Sequence, residues 1–355
     1  VSFNIFSDLK VVDVSTVLAG PSVGMFFAEL GAEVIKVEHP IHRDVTRTWK
    51  SVSENETSIS SYFSSINYKK KYVSIDLGNE QERSEFLEII KESDILISNF
   101  KRGDYPKFNL TPSVLNELNP SLIHGRITGY GTESDRVAYD LILQAETGFM
   151  SMNGTPESGP VKMPVALIDV LSAHQLKEGI LIALYERQKT GKGKEVSVSL
   201  YQAAVSSLVN QASSYLMNQT VPKRIGSLHP SIAPYGETFK TKDHRFITFA
   251  IGSNQQFEKL MRFLYLENIL ADVRFKNNPS RVVHRELLFQ AMETKIHELN
   301  SHDIEHFTAE NNIPCGIIKT MDEVFQQPLA QELIREEEIE NQITKRVSSI
   351  AFNLK

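Results

Sequence analysis

The sequence predicts an α/β fold: a mostly parallel sheet flanked by helices, with a second, smaller domain after it. Three observations predict this. Lys10–Val14, then Gly20-Pro21, a helical stretch over Val23–Leu30 closed by Gly31, and Glu33–Glu38 form a strand–helix–strand unit of about 30 residues, the size of a right-handed parallel crossover. The strands read as continuous apolar runs, as strands covered on both faces do. From His229 onward the character changes, first to Pro, Gly and Tyr and then to polar helical segments.

Tyr72–Asp76 continues the first pattern as a strand. Glu80–Lys91 is a helix, because Phe86, Ile89 and Ile90 fall on one face. Asp94–Ser98 is a strand ending at Asn99-Phe100. Thr111–Leu118 is a short helix with Thr111 as N-cap and Pro112 in its first position. Ser121–Thr128 is a further strand. Pro164–Ile168 reads as an apolar strand running into Asp169, where a long helix starts and continues to about Gln188. After a turn at Thr190–Lys194 come a strand, Glu195–Leu200, and a helix, Tyr201–Asn218. His229–Lys242 reads as a linker or lid, His244–Ile251 as a strand, Gln255–Asn311 as mostly helical, and Asn312–Ile318 as a strand entering the final segment.

Composition bounds the function. The 355 residues are 41% hydrophobic and 23% charged, which suits a globular chain and excludes a disordered one. With 38 Lys and Arg against 44 Asp and Glu the net charge is −6, so the basic footprint of sequence-independent nucleic-acid binding is absent. One cysteine, Cys315, excludes an internal disulfide framework and four-cysteine metal sites. The first ten residues lack the apolar core of a signal peptide and no run approaches a membrane span, so a cytoplasmic setting with no membrane partner is expected.

Open α/β sheets bind ligands at the turns after their strands. Here the first such turn, Ser15–Ser22, carries neither G-x-G-x-x-G nor G-x-x-x-x-G-K-[ST], and by pattern alone the simpler reading is a tight turn with Pro21 at helix position N1. His302-Asp303-Ile304-Glu305-His306 places two His on one helix face, but Glu does not follow the first His and no third ligand is evident; a solvated face is the simpler reading, and no metal is expected. Asn67–Lys71 is a basic run that either grips phosphate or is a solvated loop. Asp169 reads as a helix N-cap, or as a carboxylate facing a ligand from a strand's carboxyl end.

Ordered segments then resemble one family. These are Val11–Val14 with Leu18–Pro21, Leu30–Glu38, Asn67–Leu77, Asp94–Gly103, Thr128–Gly131 with Tyr139–Ala145, Gly179–Arg187 with Thr190–Gly193, and Ile313–Ile318. Together they resemble the family III coenzyme A transferases, the group of formyl-CoA transferase, carnitine CoA-transferase and α-methylacyl-CoA racemase. The resemblance implies a large Rossmann-like domain over 1–215, a small α+β domain with linkers over 216–320, and a segment 321–355 returning to the large domain. It also implies an interlocked homodimer. Asp169 falls at the catalytic aspartate, which attacks an acyl-CoA thioester to give an anhydride and then an aspartyl–CoA thioester. Coenzyme A is thereby a substrate, no cofactor is implied, and the partners are an acyl-CoA and a carboxylic acid.

By the same resemblance coenzyme A lies along Leu18 and Ala19, and its nucleotide passes His39, Lys70, Lys71, Asn99, Phe100 and Lys107; Arg136 and Tyr139 complete the binding set. The family more often has Arg at the positions of His39, Lys71 and Lys107, and Lys offers phosphate a point charge without a fork. The alternative within the family is a racemase. Its His stands where Tyr139 is here and its small-domain Glu near Asn254, and neither replacement is a base at neutral pH. Transfer is therefore favoured. The loop Ala250–Phe257 lacks the glycine tetrad of formyl-CoA transferases, which disfavours an oxalate–formyl substrate pair.

Overall fold

The computed structural model describes residues 4–354. The chain forms two compact units. The first takes in the chain up to Ser151, Lys162–Pro222, and the chain again from Leu329; the second is Met152–Val161 with Lys223–Pro328.

The first unit is built on a six-stranded sheet of β1 (Lys10–Asp13), β2 (Glu33–Glu38), β3 (Lys70–Ser74), β4 (Ile95–Ser98), β5 (Ile123–Thr128) and β6 (Glu195–Ser199). Its order is β3-β2-β1-β4-β5-β6 and every pairing is parallel. Such a sheet buries both faces, and side chains alternate between them. Val11, Val34, Ile95 and Ile97 thus face α1 (Ala19–Glu29) through Phe26 and Phe27, while Val12, Ile35 and Leu96 face α2 (Glu80–Lys91) through Phe86 and Ile90. The strand order reverses its sense between β1 and β4: successive crossovers run outward on either side of this pair, which opens a crevice at the carboxyl ends of these strands.

The predicted boundaries shift in informative places. α1 begins at Ala19, not Val23, and Pro21 is its third residue, not its first. The first amides of a helix have no intrahelical acceptor, so a proline there costs nothing. Gly20 is the second residue of the helix, and a Cβ there would collide with Ser15 Oγ, which is why the position takes glycine. Thr111 and Pro112 do occupy the N-cap and first position of α3 (Pro112–Leu118). No strand precedes Asp169: Pro164–Ala166 is bent chain, and α5 (Leu167–Thr190) starts directly after it, following α4 (Asp140–Glu146). The helix expected over Tyr201–Asn218 is broken into α6 (Leu200–Ser206) and α7 (Val209–Asn218). At the break the Ser206 and Ser207 hydroxyls both bond the Ala203 carbonyl, and Val209 takes a φ of 36°.

The chain from Leu329 adds a hairpin of β10 (Ile334–Ile339) and β11 (Gln342–Val347) to this unit, turning at Glu340 and Asn341 with φ of 49° and 62°. Glu340 accepts from Arg47 at 3.1 Å and also pairs with Arg43, and the Ser349 N–H donates to Glu29 at 2.9 Å.

The second unit is α+β. A three-stranded antiparallel sheet of β7 (Tyr235–Lys240), β8 (Phe246–Ala250) and β9 (Cys315–Ile317) packs with helices around Phe239, Phe249, Leu260 and Met292. Part of the expected linker, Tyr235–Lys240, is therefore a strand. Among the described residues no helix is long and apolar enough to cross a membrane.

Candidate active site

A cavity of about 280 Å3 lies at the switch point of the sheet. Thr16 and Val17 after β1, Asn99 and Phe100 after β4, and Arg126–Tyr139 at and beyond the end of β5 supply most of its wall. This is the place the fold predisposes to ligands.

The β1–α1 loop is held there under strain. Val17 has a φ of 73°, a left-handed conformation that a β-branched residue adopts only when its surroundings impose it. The surroundings are specific. Asn99 clamps the preceding residue from both sides, its Oδ1 accepting from the Thr16 N–H at 3.0 Å and its Nδ2 donating to the Thr16 carbonyl at 2.9 Å. Asp44 accepts from the Val17 N–H at 3.4 Å, and Asp13 from the Ser15 N–H at 3.0 Å. Behind the loop, Lys36 donates to the Ser15 carbonyl and to Asp44. Burial pushes the Asp13 carboxyl up, but Lys36 and Lys70 more than offset this and hold it below the usual range.

Asp169 is the third residue of α5 and is buried. Its carboxyl has no hydrogen-bond or ion-pair partner among the described residues, and burial, followed by the neighbouring Asp140 carboxylate, pushes its pKa up to about 7. The N-cap reading of Asp169 is corrected: the N-cap is Ala166, which cannot cap, and Asp140 substitutes by accepting from the Ile168 N–H at 2.7 Å. Fully buried Gln144 reinforces this. Its Nε2 donates to Asp140 at 2.6 Å and its Oε1 accepts from the Met163 N–H at 2.8 Å. Tyr62 stands near both carboxylates; burial, then Asp169 and Asp140, push its hydroxyl up to about 12. Asp169 is not in the wall of the switch-point cavity, but the wall segment Arg136–Tyr139 runs straight into Asp140.

The other expected site residues divide. Asn99, Phe100, Arg136 and Tyr139 line the cavity together. Leu18 and Ala19 continue the clamped loop into α1 as its N-cap and first residue. His39 lines a smaller cleft of about 120 Å3 with Phe100, Asp76 and Phe108; its Nδ1 accepts from the Ile41 and His42 amides and its Nε2 lies 3.5 Å from Asp76. Lys107 is exposed, 5.1 Å from the Phe108 ring. Lys70 and Lys71 stand apart from both clefts. Lys70 is buried and its ammonium is committed to Asp13, the Pro21 carbonyl and Asn67, each at 2.8 Å, so it is a core cation and not a phosphate grip. Lys71 is exposed and pairs with Glu33 at 2.7 Å, at the start of β2. Residues that open a parallel strand lie at the edge opposite the ligand crevice, which is why the basic run misled.

The sequence pattern does not point to three residues that the structure places beside these groups: Arg126 in the cavity wall, Gln144 on Asp140 and Tyr62 near both carboxylates. A signal existed for the first. His124 and Arg126 alternate within a strand expected to be buried, and buried charged residues need a reason. Among the described residues no group of three or more metal-ligating side chains occurs; His306 faces only Glu310, at 3.5 Å.

Comparison with known proteins supplies independent evidence. The family model described as CoA-transferase family III matches residues 6–354. A succinate–glutarate CoA-transferase of Agrobacterium fabrum is 33% identical across 92% of this chain and 82% of its own length. A human succinyl-CoA:glutarate CoA-transferase is 32% identical across 90% of this chain and 73% of its own. Among solved structures, a CAIB/BAIF family protein from Brucella suis superposes with a TM-score of 0.85 at 33% identity, covering 97% of this chain and 91% of that one.

Proposed function

Because the chain belongs to CoA-transferase family III, a family of enzymes that move coenzyme A between acyl-CoA thioesters and free acids, we propose that Asp169 carries the transfer covalently. The observation that carries this reading is an ionisable carboxyl buried without a hydrogen-bond partner and pushed up to about 7. A desolvated carboxylate is a better nucleophile than one stabilised by donors, and covalent catalysis divides the exchange into easier steps.

In the proposed sequence the Asp169 carboxylate adds to the thioester carbonyl, the C–S bond breaks, and coenzyme A leaves as thiolate with a mixed anhydride left behind. The thiolate then attacks the Asp169 carbonyl of that anhydride, releasing the donor acid and forming an aspartyl–CoA thioester. The acceptor carboxylate attacks this thioester, giving a new anhydride and thiolate. Attack of the thiolate on the acceptor's acyl carbon releases the product thioester and free Asp169. Each bond broken is replaced by one of similar acyl-transfer potential. Burial of Asp169 excludes the water that would hydrolyse either intermediate. The start of α5, whose Asp169 N–H has no partner among the described residues, favours the negative charge that develops beside it.

Short dicarboxylates, with succinyl-CoA as donor, are the proposed substrates, on the names of the two relatives. A homodimer is proposed as the working form. Ile182, Tyr185, Leu216 and Met217 expose large apolar surface on α5 and α7, as a subunit interface would. For the epimerase alternative, the Asn254 side chain is occupied in accepting from Arg281 at 2.8 Å, and no observation favours it. A panel of acyl-CoA donors and free acids tests the reading: new thioesters are expected with wild type and none with Asp169→Ala. Full turnover by Asp169→Ala would overturn it.

A further inference from the structure

Of the cations that line the switch-point cavity, Arg126 alone is buried. Arg102 is held by Glu133 at 2.9 Å and Arg136 by Glu146, while exposed Lys101 has no partner among the described residues. Arg126 uses its Nη1 on both Glu195 oxygens, at 3.1 and 3.2 Å. Its Nε–Nη2 edge donates to nothing among the described residues, and the Nε is buried without a partner. That edge of a guanidinium is a two-pronged receptor for phosphate or carboxylate, and leaving its Nε desolvated and unpaired is costly.

The support beneath Arg126 is elaborate. Its guanidinium carbon sits 4.0 Å from the centre of the Tyr105 ring. The Tyr105 hydroxyl meets Ser98 Oγ at 2.9 Å, and Ser98 Oγ meets His124 Nε2 at 2.8 Å. His124 is kept neutral, its pKa pushed down to about 3 by burial and then by Arg126, so no second cation competes under the ring. The column therefore holds one guanidinium, half-neutralised by Glu195, at the cavity floor.

We propose that Arg126 recognises a phosphate of coenzyme A through its free Nε–Nη2 edge, and so anchors the acyl-CoA without taking part in the transfer itself. This rests on the reading above that the ligand is an acyl-CoA. The anion is assigned to the nucleotide end and not to the acid. A reacting carboxylate must reach Asp169, and Asp169 is not in this cavity's wall.

The test compares wild type with Arg126→Lys, which keeps the charge and loses the fork, and with Arg126→Met/Glu195→Met, which removes both partners and so leaves no unpaired carboxylate behind. Calorimetric titration with coenzyme A is set against steady-state rates on succinyl-CoA and on succinyl-pantetheine, which lacks phosphate. The expected result is CoA affinity weakened about 10- to 100-fold in both variants, with kcat and the acid KM within about threefold and no change on succinyl-pantetheine. Wild-type affinity in both variants overturns the proposal while leaving the transferase reading intact. So does an equal loss on succinyl-pantetheine, or a change confined to the acid KM. Failure of the wild type to bind coenzyme A would overturn the transferase reading itself, and this inference with it.

Discussion

The Asp140 carboxylate does two things to Asp169: it fixes the start of α5 through the Ile168 amide, and its charge raises the Asp169 pKa. Asp169 thus sits one residue beyond the amide that its electrostatic neighbour holds. Burial is the larger cause of the raised pKa, and Asp140, which also holds the local geometry, adds to it.

The two effects separate by substitution. Asp140→Asn keeps an acceptor for the Ile168 N–H and removes the charge. The proposed nucleophile acts as carboxylate, so kcat/KM for the acyl-CoA should rise with pH through about 7 in wild type. In Asp140→Asn that rise should move to lower pH. Asp140→Ala should also lose the cap, at about 1 kcal/mol, read as a lower denaturation midpoint.

Stability should carry the mark of the buried acid. The folded pKa of Asp169 is raised to about 7 from 3.8, so the folded state binds the extra proton between these values. Its contribution is whole below pH 3.8 and is lost as pH rises through about 7. Asp169→Asn removes this loss. In urea titrations its stability relative to wild type should increase from pH 4 to pH 8, by at most about 4 kcal/mol at about 1.4 kcal/mol per pKa unit. A difference that does not change with pH would contradict the burial argument.

Val17 offers a test of stored strain. Val17→Gly relieves a left-handed β-branched residue and should stabilise the fold by about 1 kcal/mol. The loosened loop should bind acyl-CoA more weakly, so KM rises while the melting temperature does not fall.

The basic run gives a contrast. Lys70→Met leaves Asp13 with Lys36, 3.8 Å away, as its one cation among the described residues, and should destabilise the protein by about 3 kcal/mol or more. Lys71→Ala should change stability by less than about 0.5 kcal/mol. Neither should alter coenzyme A affinity of the folded protein in calorimetry.

Much of this was legible from residue order. Strand–helix alternation and apolar runs predict the parallel sheet, whereas it is the family resemblance, not local pattern, that groups Asn99, Phe100, Arg136 and Tyr139, which line one cavity. Local pattern failed where long-range partners decide. The apolar run Pro164–Ile168 reads as a strand, but Gln144 and Asp140 reach across from another helix and hold it as a bend leading into α5. Lys70 and Lys71 look like one basic patch, but adjacent strand residues point to opposite faces, and one enters the core while the other meets solvent.

The most direct measurement is intact and peptide mass spectrometry of the enzyme quenched in acid during turnover with an acyl-CoA donor. The account predicts an adduct of one coenzyme A less one water on the peptide holding Asp169, discharged by hydroxylamine and absent from Asp169→Asn. Turnover with no adduct on that peptide, or with the adduct on another residue, would contradict it.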